Sequence, residues 1–355
     1  MARWLLYGAN GFTGRLIAQE ALRRGHQPVL AGRSASQIEP LADSLGLEAR
    51  VFGLDPLDTL TRAIRDVDLV LHAAGPFLYT AEPMMRACVL AGVHYLDISG
   101  EIPVFEGSLA YDEAARRGGF ALICGVGFDV VPTNCLAQYV AAQVPEATRL
   151  EIAIHGLTRI STGTARSAIV GGSSGGWVRR EGKLVPYPLG LGARRLNFPD
   201  GQQTAMPFPW GDLSASYRST GIGNIVTYSV FPAYMPLLAR LGAPIAQALL
   251  TLAPVRAILH PIARARFKGP DATQLNESRA YVWAKALEAG GEGVEAWIET
   301  PEPYQFTALA GVQAVEQTLA LTPTGALAPA QAFGTDFPLG IEGVTRLDTL
   351  ADRGV

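Results

Sequence analysis

The first third of the chain alternates short apolar runs with amphipathic segments. Residues 3–8, RWLLYG, form an apolar run that ends in glycine, which is typical of a buried parallel strand. Similar runs predict further strands at 28–33, 49–55, 68–76, 93–101 and 118–129. Between these runs apolar residues recur at helical spacing, as Ile17 and Ala21 do. Repeated strand–helix units of this length predict a doubly wound parallel sheet with right-handed crossovers.

The pattern changes near residue 147, where RLEIAIHGLTRI alternates apolar and polar residues as a half-exposed strand does. Residues 278–300 contain two alternating runs joined by EAGGEG, which predicts a hairpin. An alanine-rich, i/i+4 apolar pattern predicts a helix at 306–321. Two segments rich in glycine, serine or proline, 171–176 and 199–212, are predicted loops.

These patterns predict an α/β fold built from two domains of different architecture. We expect an N-terminal Rossmann-type domain with a doubly wound parallel sheet over residues 1–146. A second α+β domain with a mostly antiparallel sheet is expected over 147–305, followed by a C-terminal segment at 306–355.

The composition indicates a folded protein, since 48% of the 355 residues are hydrophobic and 17% are charged. A net charge of −3 gives no electrostatic basis for binding nucleic acid. Cys88, Cys124 and Cys135 are odd in number and lack metal-ligand spacing, so we expect unpaired core thiols, no metal and a reducing compartment. The N-terminal apolar run is too short for a signal peptide, which together with the thiols predicts a cytoplasmic location.

Residues 230–269 are apolar with sparse basic residues, and proline or glycine interrupts them repeatedly. We expect a set of short buried helices here. The alternative is a peripheral membrane surface or a wall facing lipid, because basic residues accompany the apolar face. No run reaches the roughly 18 uninterrupted apolar residues of a spanning helix, although this region comes close.

The segment YGANGFTGR, residues 7–15, joins the first predicted strand to the first helix and carries three glycines. Gly8 permits a tight exit from the strand, Gly11 lets the backbone approach a pyrophosphate, and Gly14 lets the helix pack close to the sheet. The spacing departs from G-x-G-x-x-G, because Ala9 takes the place of the first glycine. We predict a dinucleotide cofactor on this loop, held by Gly8, Ala9, Asn10, Gly11, Phe12, Thr13 and Gly14.

The end of the second predicted strand indicates which dinucleotide is bound. A cofactor with a free ribose 2′-hydroxyl usually meets an acidic residue here, whereas this chain has Arg33 and Ser34. A guanidinium pairs well with a 2′-phosphate, so we predict NADP(H); the alternative is a surface arginine beside a turn. Asp55 is a candidate contact of the adenine amino group or, alternatively, a helix cap. Further along the cleft, the predicted contacts of the second ribose and the nicotinamide are Ala74, Gly75, Pro76 and Phe77.

Four segments in this order resemble the saccharopine dehydrogenase-like oxidoreductases, and within them the branch with trans-acting enoyl reductases: YGANGFTGR, LAGRS, AAGPFLYTAEPMMRACVLAGVHYLDISGE and GFDVVPTN. The resemblance covers residues 3–170 and returns weakly at 313–334. It implies a Rossmann-type domain, NADPH-linked hydride transfer and a homodimer. It also implies that the second domain, 147–305, covers the nicotinamide and serves substrate binding and dimerisation, and that the C-terminal segment, 306–355, packs back on the first domain. It leaves the substrate open, since relatives act on imine-forming amino acids, polyamine precursors and unsaturated polyketide-type lipids.

Hydride transfer also needs a proton donor or a polarising group, and the sequence gives three candidates. Tyr79 has a phenol after the GPF segment, with a packed position in the cleft wall as the alternative. Asp129 follows the sixth strand, with a capping or turn role as the alternative. Thr164 lies where a helix would begin towards the ligand, with a plain helix start as the alternative. Asp97 and Glu101 are interpreted as structural, holding a loop through backbone amides.

The apolar stretch at 230–255 suits an acyl chain, and we recognise no basic cluster that would clamp a dicarboxylic amino acid. The first expectation is therefore NADPH-dependent reduction of a C=C bond in an apolar, acyl or polyketide-type substrate. The alternatives are a saccharopine-type imine or amino-acid reductase, and a non-catalytic protein that binds NADPH or lipid.

Overall fold

The computed structural model describes residues 2–157 and 159–353, and these residues form a seven-stranded sheet and a nine-stranded sheet. All strand pairs of the first sheet are parallel, whereas the second is mixed and mostly antiparallel. The predicted fold class, a Rossmann-type parallel sheet joined to an α+β unit, is confirmed.

The parallel sheet has the strand order β15-β6-β5-β4-β1-β2-β3. Its strands are β1 (Trp4–Tyr7), β2 (Val29–Gly32), β3 (Ala49–Val51), β4 (Leu69–His72), β5 (His94–Asp97), β6 (Ala121–Ile123) and β15 (Gly325–Leu327). The helices of this part are α1 (Phe12–Arg23), α2 (Ala35–Leu45), α3 (Leu57–Ile64), α4 (Phe77–Ala91), α5 (Ile102–Ser108), α6 (Asp112–Gly118) and α7 (Val131–Ala142), with a 3₁₀ turn at Leu109–Tyr111. The strand order reverses between β1 and β4, and in such sheets a ligand binds outside the carboxyl ends at this point.

The mixed sheet follows the order β10-β11-β12-β7-β13-β14-β16, with β8 and β9 attached beside β12. Its strands are β7 (Arg149–His155), β8 (Trp177–Arg180), β9 (Lys183–Pro186), β10 (Arg194–Phe198), β11 (Gly201–Pro207), β12 (Asn224–Val230), β13 (Arg279–Leu287), β14 (Gly293–Pro301) and β16 (Thr345–Leu347). The remaining helices are α8 (Thr162–Gly171), α9 (Asp212–Thr220), α10 (Met235–Thr251), α11 (Ala253–Arg266), α12 (Ala272–Glu277), α13 (Pro303–Leu321) and α14 (Pro329–Phe333), with 3₁₀ turns at Gly172–Ser174, Phe337–Gly340 and Leu350–Arg353.

One hydrophobic core joins the two sheets. The four residues of β1 are buried, and α1 and α13 pack against each other beside them. The same core continues through α7 to the inner face of β13. The C-terminal part of the chain contacts both sheets, since β15 pairs with β6 and β16 pairs with β14. Cys88, Cys124 and Cys135 are buried and unpaired, as expected.

Three predictions about local structure were wrong in part. Residues 201–207, within a predicted loop, form β11, because they pair with both β10 and β12 although the outer half of the strand is polar and exposed. Residues 171–174, in the other predicted loop, complete α8 and a 3₁₀ turn. The sixth predicted strand, 118–129, is much shorter, since only Ala121–Ile123 is extended.

The stretch 230–269 forms α10 and α11 and is not buried, which corrects the first expectation for it. Leu241, Ile245 and Ile258 are exposed by 69%, 67% and 64%. Within the described residues no single helix is long and apolar enough to cross a membrane. Ile245–Thr251 and Ala253–Ala263 meet that test only as a pair, and they are bent by 96° relative to each other.

Candidate cofactor and substrate cleft

The glycine loop lies at the point where the strand order reverses, between the ends of β1 and β4. Gly8 has φ of +87°, and a Cβ atom there would lie 2.8 Å from the backbone nitrogen of Ala74. Any other residue at this position would therefore be strained and would push the segment after β4 away. Two of the predicted cofactor segments, 7–15 and 73–77, are thus in direct contact.

The N-terminus of α1 points its first amides at this loop. The helix begins at Phe12, and no side chain caps it. A Cβ atom on Gly14 would overlap the carbonyl oxygen of Gly8 and lie 2.8 Å from Cα of Ala9, so only glycine allows this close approach of helix and strand. Uncapped amides and the helix dipole favour a phosphate group here, and the loop therefore fits a dinucleotide.

Arg33 and Ser34 follow β2 at the same edge of the sheet. The Arg33 side chain is exposed and forms no ion pair with any described residue. Ser34 Oγ lies 3.1 Å from Ser36 Oγ, and Asn10 Nδ2 donates a hydrogen bond to Gln37 Oε1 at 2.7 Å. The segment that follows β2 thus offers hydroxyl groups and a guanidinium that forms no ion pair with a described residue, which suits a ribose 2′-phosphate.

Asp55 is exposed in the segment after β3. It does not cap α3, because Pro56 occupies the cap position and no side chain bonds to the helix start. The alternative role, a contact with adenine, stays a prediction.

Glu101 connects the two halves of the cleft. Its carboxylate accepts hydrogen bonds from the backbone amides of Phe77 and Leu78, at 3.0 and 2.7 Å, at the start of α4. It also accepts one from Ser167 Oγ of α8, at 2.7 Å. A Cβ atom on Gly75 would lie 3.5 Å from the same Ser167 oxygen, so α8 covers the end of β4.

The structural interpretation of Asp97 and Glu101 is confirmed. Asp97 is buried and accepts hydrogen bonds from the amides of Ser99 and Gly125 and from the Tyr95 hydroxyl. Burial raises the pKa of Asp97 to about 6.

Tyr304, which the sequence analysis did not select, lies between α8 and the glycine loop. Its hydroxyl accepts a hydrogen bond from the Ser161 amide at 2.6 Å and lies 2.7 Å from Thr164 Oγ1. Its ring packs edge-on against Phe12, with the ring centroids 5.1 Å apart. The Glu302 carboxylate caps α13 through the Tyr304 amide, which fixes the start of the helix that carries this ring. Residues almost 300 positions apart therefore meet at one point.

Thr164 belongs to the first turn of α8, where Ser161 Oγ accepts its amide as the helix cap. The predicted helix start is confirmed. Because the residue is exposed and its hydroxyl contacts that of Tyr304, Thr164 stays a candidate for contact with the nicotinamide or the substrate.

Asp129 is half-buried and lies beside the segment that carries Glu101. Its Oδ2 atom would lie 3.1 Å from a Cβ on Gly100, next to Glu101. It does not cap α7, whose cap position is Val130 with no side-chain bond. Burial raises the pKa of Asp129 to about 6, and its carboxyl group accepts no hydrogen bond from any described residue. A carboxyl group of this kind is available to a ligand.

Asp212 is fully buried and lies near enough to Asp129 for the two carboxyl groups to interact. Ser216 Oγ donates a hydrogen bond to its Oδ1 atom at 3.0 Å, while Oδ2 has no partner among the described residues. Burial, with a smaller contribution from the charge of Asp129, raises the pKa of Asp212 to about 7. Asp212 was missed because its sequence context, PWGDLS, looks like an ordinary helix start.

Tyr79 is 57% exposed, so the packed position considered for it is wrong. Its hydroxyl makes no hydrogen bond with the described residues. Tyr79 stays a candidate donor.

The N-terminal sheet with this loop belongs to a known kind of cofactor domain. Residues 4–123 match the family model of the saccharopine dehydrogenase NADP binding domain. The chain contains a saccharopine dehydrogenase NADP-binding domain. The resemblance found in the sequence and the expectation of NADP(H) are thereby confirmed.

Named relatives match somewhat less than half of the chain. A saccharopine dehydrogenase-like oxidoreductase of Arabidopsis thaliana is 30% identical over 195 residues, which are 47% of this chain and 42% of the relative. A trans-acting enoyl reductase of Mycobacterium ulcerans is 29% identical over 157 residues, which are 42% of this chain and 38% of the relative. The matches thus span less than half of the length of these relatives.

Two solved structures share the fold beyond the NADP-binding domain. Saccharopine dehydrogenase (L-Glu forming) from Saccharomyces cerevisiae matches with a TM-score of 0.65 at 12% identity, over 98% of this chain and 99% of that chain. The homospermidine synthase of Legionella pneumophila in complex with NAD matches with a TM-score of 0.62 at 10% identity, over 98% of this chain and 91% of that chain. At these identities the likeness extends to the fold alone.

Proposed function

We propose that the protein is an NADPH-dependent oxidoreductase that reduces a C=C bond of an acyl or polyketide-type substrate. The observation that carries this proposal is the half-buried Asp129 carboxyl group, which lies in the cleft beside the NADP-binding domain without a protein partner. The enoyl reductases among the relatives support the choice of reaction.

The chain's own residues divide the work as follows. The amides of α1 and the glycine loop would hold the pyrophosphate, Arg33 would hold the 2′-phosphate, and Gly75 would let the backbone pass close to the nicotinamide. A hydride for the β-carbon of the substrate would come from NADPH held in this way. Asp129 in its protonated form donates the proton that the α-carbon takes up, and the product is the saturated acyl group. Tyr304 and Thr164 border the space between Asp129 and the loop and position the substrate.

The raised pKa makes the role of Asp129 testable. A proton donor must be protonated, so the rate constant of reduction falls as the pH rises through about 6. We expect Asp129→Asn to lower kcat by about 100-fold and to abolish this limb of the pH profile. NADPH consumption with a long-chain trans-2-enoyl thioester measures both. Asp43→Asn, at an exposed position of α2, is the matched control and keeps the parent values. A parent-like rate and profile in Asp129→Asn would remove Asp129 from the reaction.

A second candidate is reduction of an imine formed from a carbonyl compound and an amine. The acidic groups of the cleft favour it, because an ionised Asp129 near Glu101 would attract a cationic iminium group. This reaction needs the carboxylate, so its rate would rise as the pH increases through about 6, opposite to the first candidate. Two parallel assays distinguish the candidate reactions, one with the enoyl thioester and one with an α-keto acid mixed with an amine. The substrate that is consumed and the direction in which the rate changes with pH identify the reaction.

A further inference from the structure

Helices α10 and α11 form a bent pair, called the hairpin below, and each carries exposed apolar side chains, which together are called the apolar stripe. Residues four apart fall on one side of a helix, and the large side chains on this side are exposed by 48% to 69%. They are Leu237, Leu241, Ile245 and Leu249 on α10, and Ile258 and Ile262 on α11. A stripe of this length on a folded protein is unusual and marks a surface that binds something apolar.

The inner face of the hairpin is attached to the rest of the protein. The Leu250 side chain lies 2.9 Å from the position of a Cβ on Gly172, and Gln247 lies against Gly175. Backbone atoms of Arg240 contact Gly190 in the same way, and α11 packs on α8. The helices are therefore held in place by one side, and the apolar stripe faces outward.

The charged residues within the segment that forms α10 and α11 are all basic. The sequence has no Asp or Glu between Asp212 and Asp271. Its basic residues at 230–270 are Arg240, Arg256, Arg264, Arg266 and Lys268. Among the described side chains, Arg240, Arg256, Arg266 and Lys268 take part in no ion pair. In an isologous dimer the basic residues of two such faces would repel each other. A negatively charged surface would instead attract this face.

The ends and the bend of the hairpin fit a surface that lies in a membrane interface. Tyr234 precedes α10 and is 63% exposed, and Phe267 follows α11 and is also exposed. Aromatic rings of this kind are enriched at the level of lipid headgroups. The 96° bend near Leu252 means that the pair cannot cross a bilayer as a straight helix, but both helices can present their outer faces to it.

We propose that the outer face of α10 and α11 binds an anionic phospholipid bilayer, with the apolar stripe inserted among the acyl chains and the basic residues paired with headgroups. The hairpin adjoins the cofactor cleft: a Cβ on Gly269 would lie 2.8 Å from the Phe12 ring, and Thr162 Oγ1 donates to the Phe267 carbonyl at 2.6 Å. The bilayer therefore meets the protein beside the cleft. This binding rests on the hairpin alone and does not depend on the reaction proposed above.

Co-sedimentation with vesicles tests the proposal. Vesicles of phosphatidylcholine alone are compared with vesicles of equal parts phosphatidylcholine and phosphatidylglycerol. We expect binding to the anionic vesicles, weakened by added salt, since each basic residue near the surface changes the partition coefficient about fivefold. Absence of binding to the anionic vesicles by the parent chain would overturn the proposal, as would equal binding to both compositions.

Variants then locate the binding surface. Leu241→Asp combined with Ile245→Asp should reduce binding at least about tenfold, because both side chains lie in the apolar stripe. Leu90→Asp combined with Leu321→Asp is the matched control, since these residues are 62% and 60% exposed outside the hairpin. NADPH binding by each variant reports that it is folded. Equal loss in both double variants would contradict the proposal. The proposal would also be contradicted if light scattering showed that the parent chain is a dimer and that only the Leu241→Asp, Ile245→Asp variant is a monomer. A second copy of the chain would then cover this face.

Discussion

Replacing Arg33 tests which dinucleotide the chain prefers. The guanidinium is exposed at the end of β2 and forms no ion pair with a described residue, so it is free to contact a 2′-phosphate. A hydrogen bond to a charged group contributes about 1.5–3 kcal/mol, and exposure to water places this one near the lower end. We expect Arg33→Ala to lose about 2 kcal/mol of NADPH binding free energy, which is about a 30-fold increase in Kd. NADH lacks the phosphate, so its Kd should change by less than about threefold.

Cofactor fluorescence titrations of both dinucleotides measure these constants. Arg65→Ala is the matched control, because it removes the same charge from an exposed residue after α3, at the opposite edge of the sheet. It should leave the Kd of NADPH within about twofold of the parent. Equal losses for NADPH and NADH in Arg33→Ala would refute the assignment of this residue to the 2′-phosphate.

Two further predictions concern the stability of the fold. Gly14→Ala should lower the free energy of unfolding by about 2 kcal/mol, since its Cβ would overlap the Gly8 carbonyl oxygen. Gly11→Ala should lower it by less than about 1 kcal/mol, because its Cβ would lie 3.2 Å from the same oxygen. Urea denaturation followed by circular dichroism gives both values, and equal effects would contradict the close packing of α1. Burial raises the pKa of Asp212 to about 7, so the native state holds this proton more tightly than the unfolded chain, and the parent should lose stability as the pH rises from about 4 to about 7. Asp212→Asn has no such proton, so its free energy of unfolding should rise relative to that of the parent across this pH window, by up to about 4 kcal/mol. Denaturation curves recorded at several pH values measure this change. A difference in free energy of unfolding that does not vary with pH would contradict the raised pKa of Asp212.

The parallel sheet and its glycine loop could be predicted because the signal for them is local. The first 33 residues contain the apolar runs with glycine at or near their ends, which predict the strands. They also contain Arg33, which has no acidic residue beside it and predicts the 2′-phosphate. The extent of the strands was harder to predict, since the sixth run continues past β6 into the loop that carries Asp129.

The second wall of the cleft could not be predicted in the same way. Tyr304 meets Phe12 only because α13 packs against α1, a contact between distant parts of the chain. The exposure of α10 and α11 was missed for a different reason. Apolar composition indicates that a helix avoids water, but it does not distinguish a helix buried in the protein from one that another surface covers.

The most direct test of the proposed reaction follows the hydride itself. The chain is incubated with a long-chain trans-2-enoyl thioester and NADPH that carries deuterium on the transferred position of the nicotinamide, and the product is analysed by mass spectrometry. We predict a saturated thioester with one deuterium on its β-carbon, formed at the rate of NADPH consumption. If NADPH binds but the thioester is recovered unchanged, the protein is not a reductase of this class of substrate.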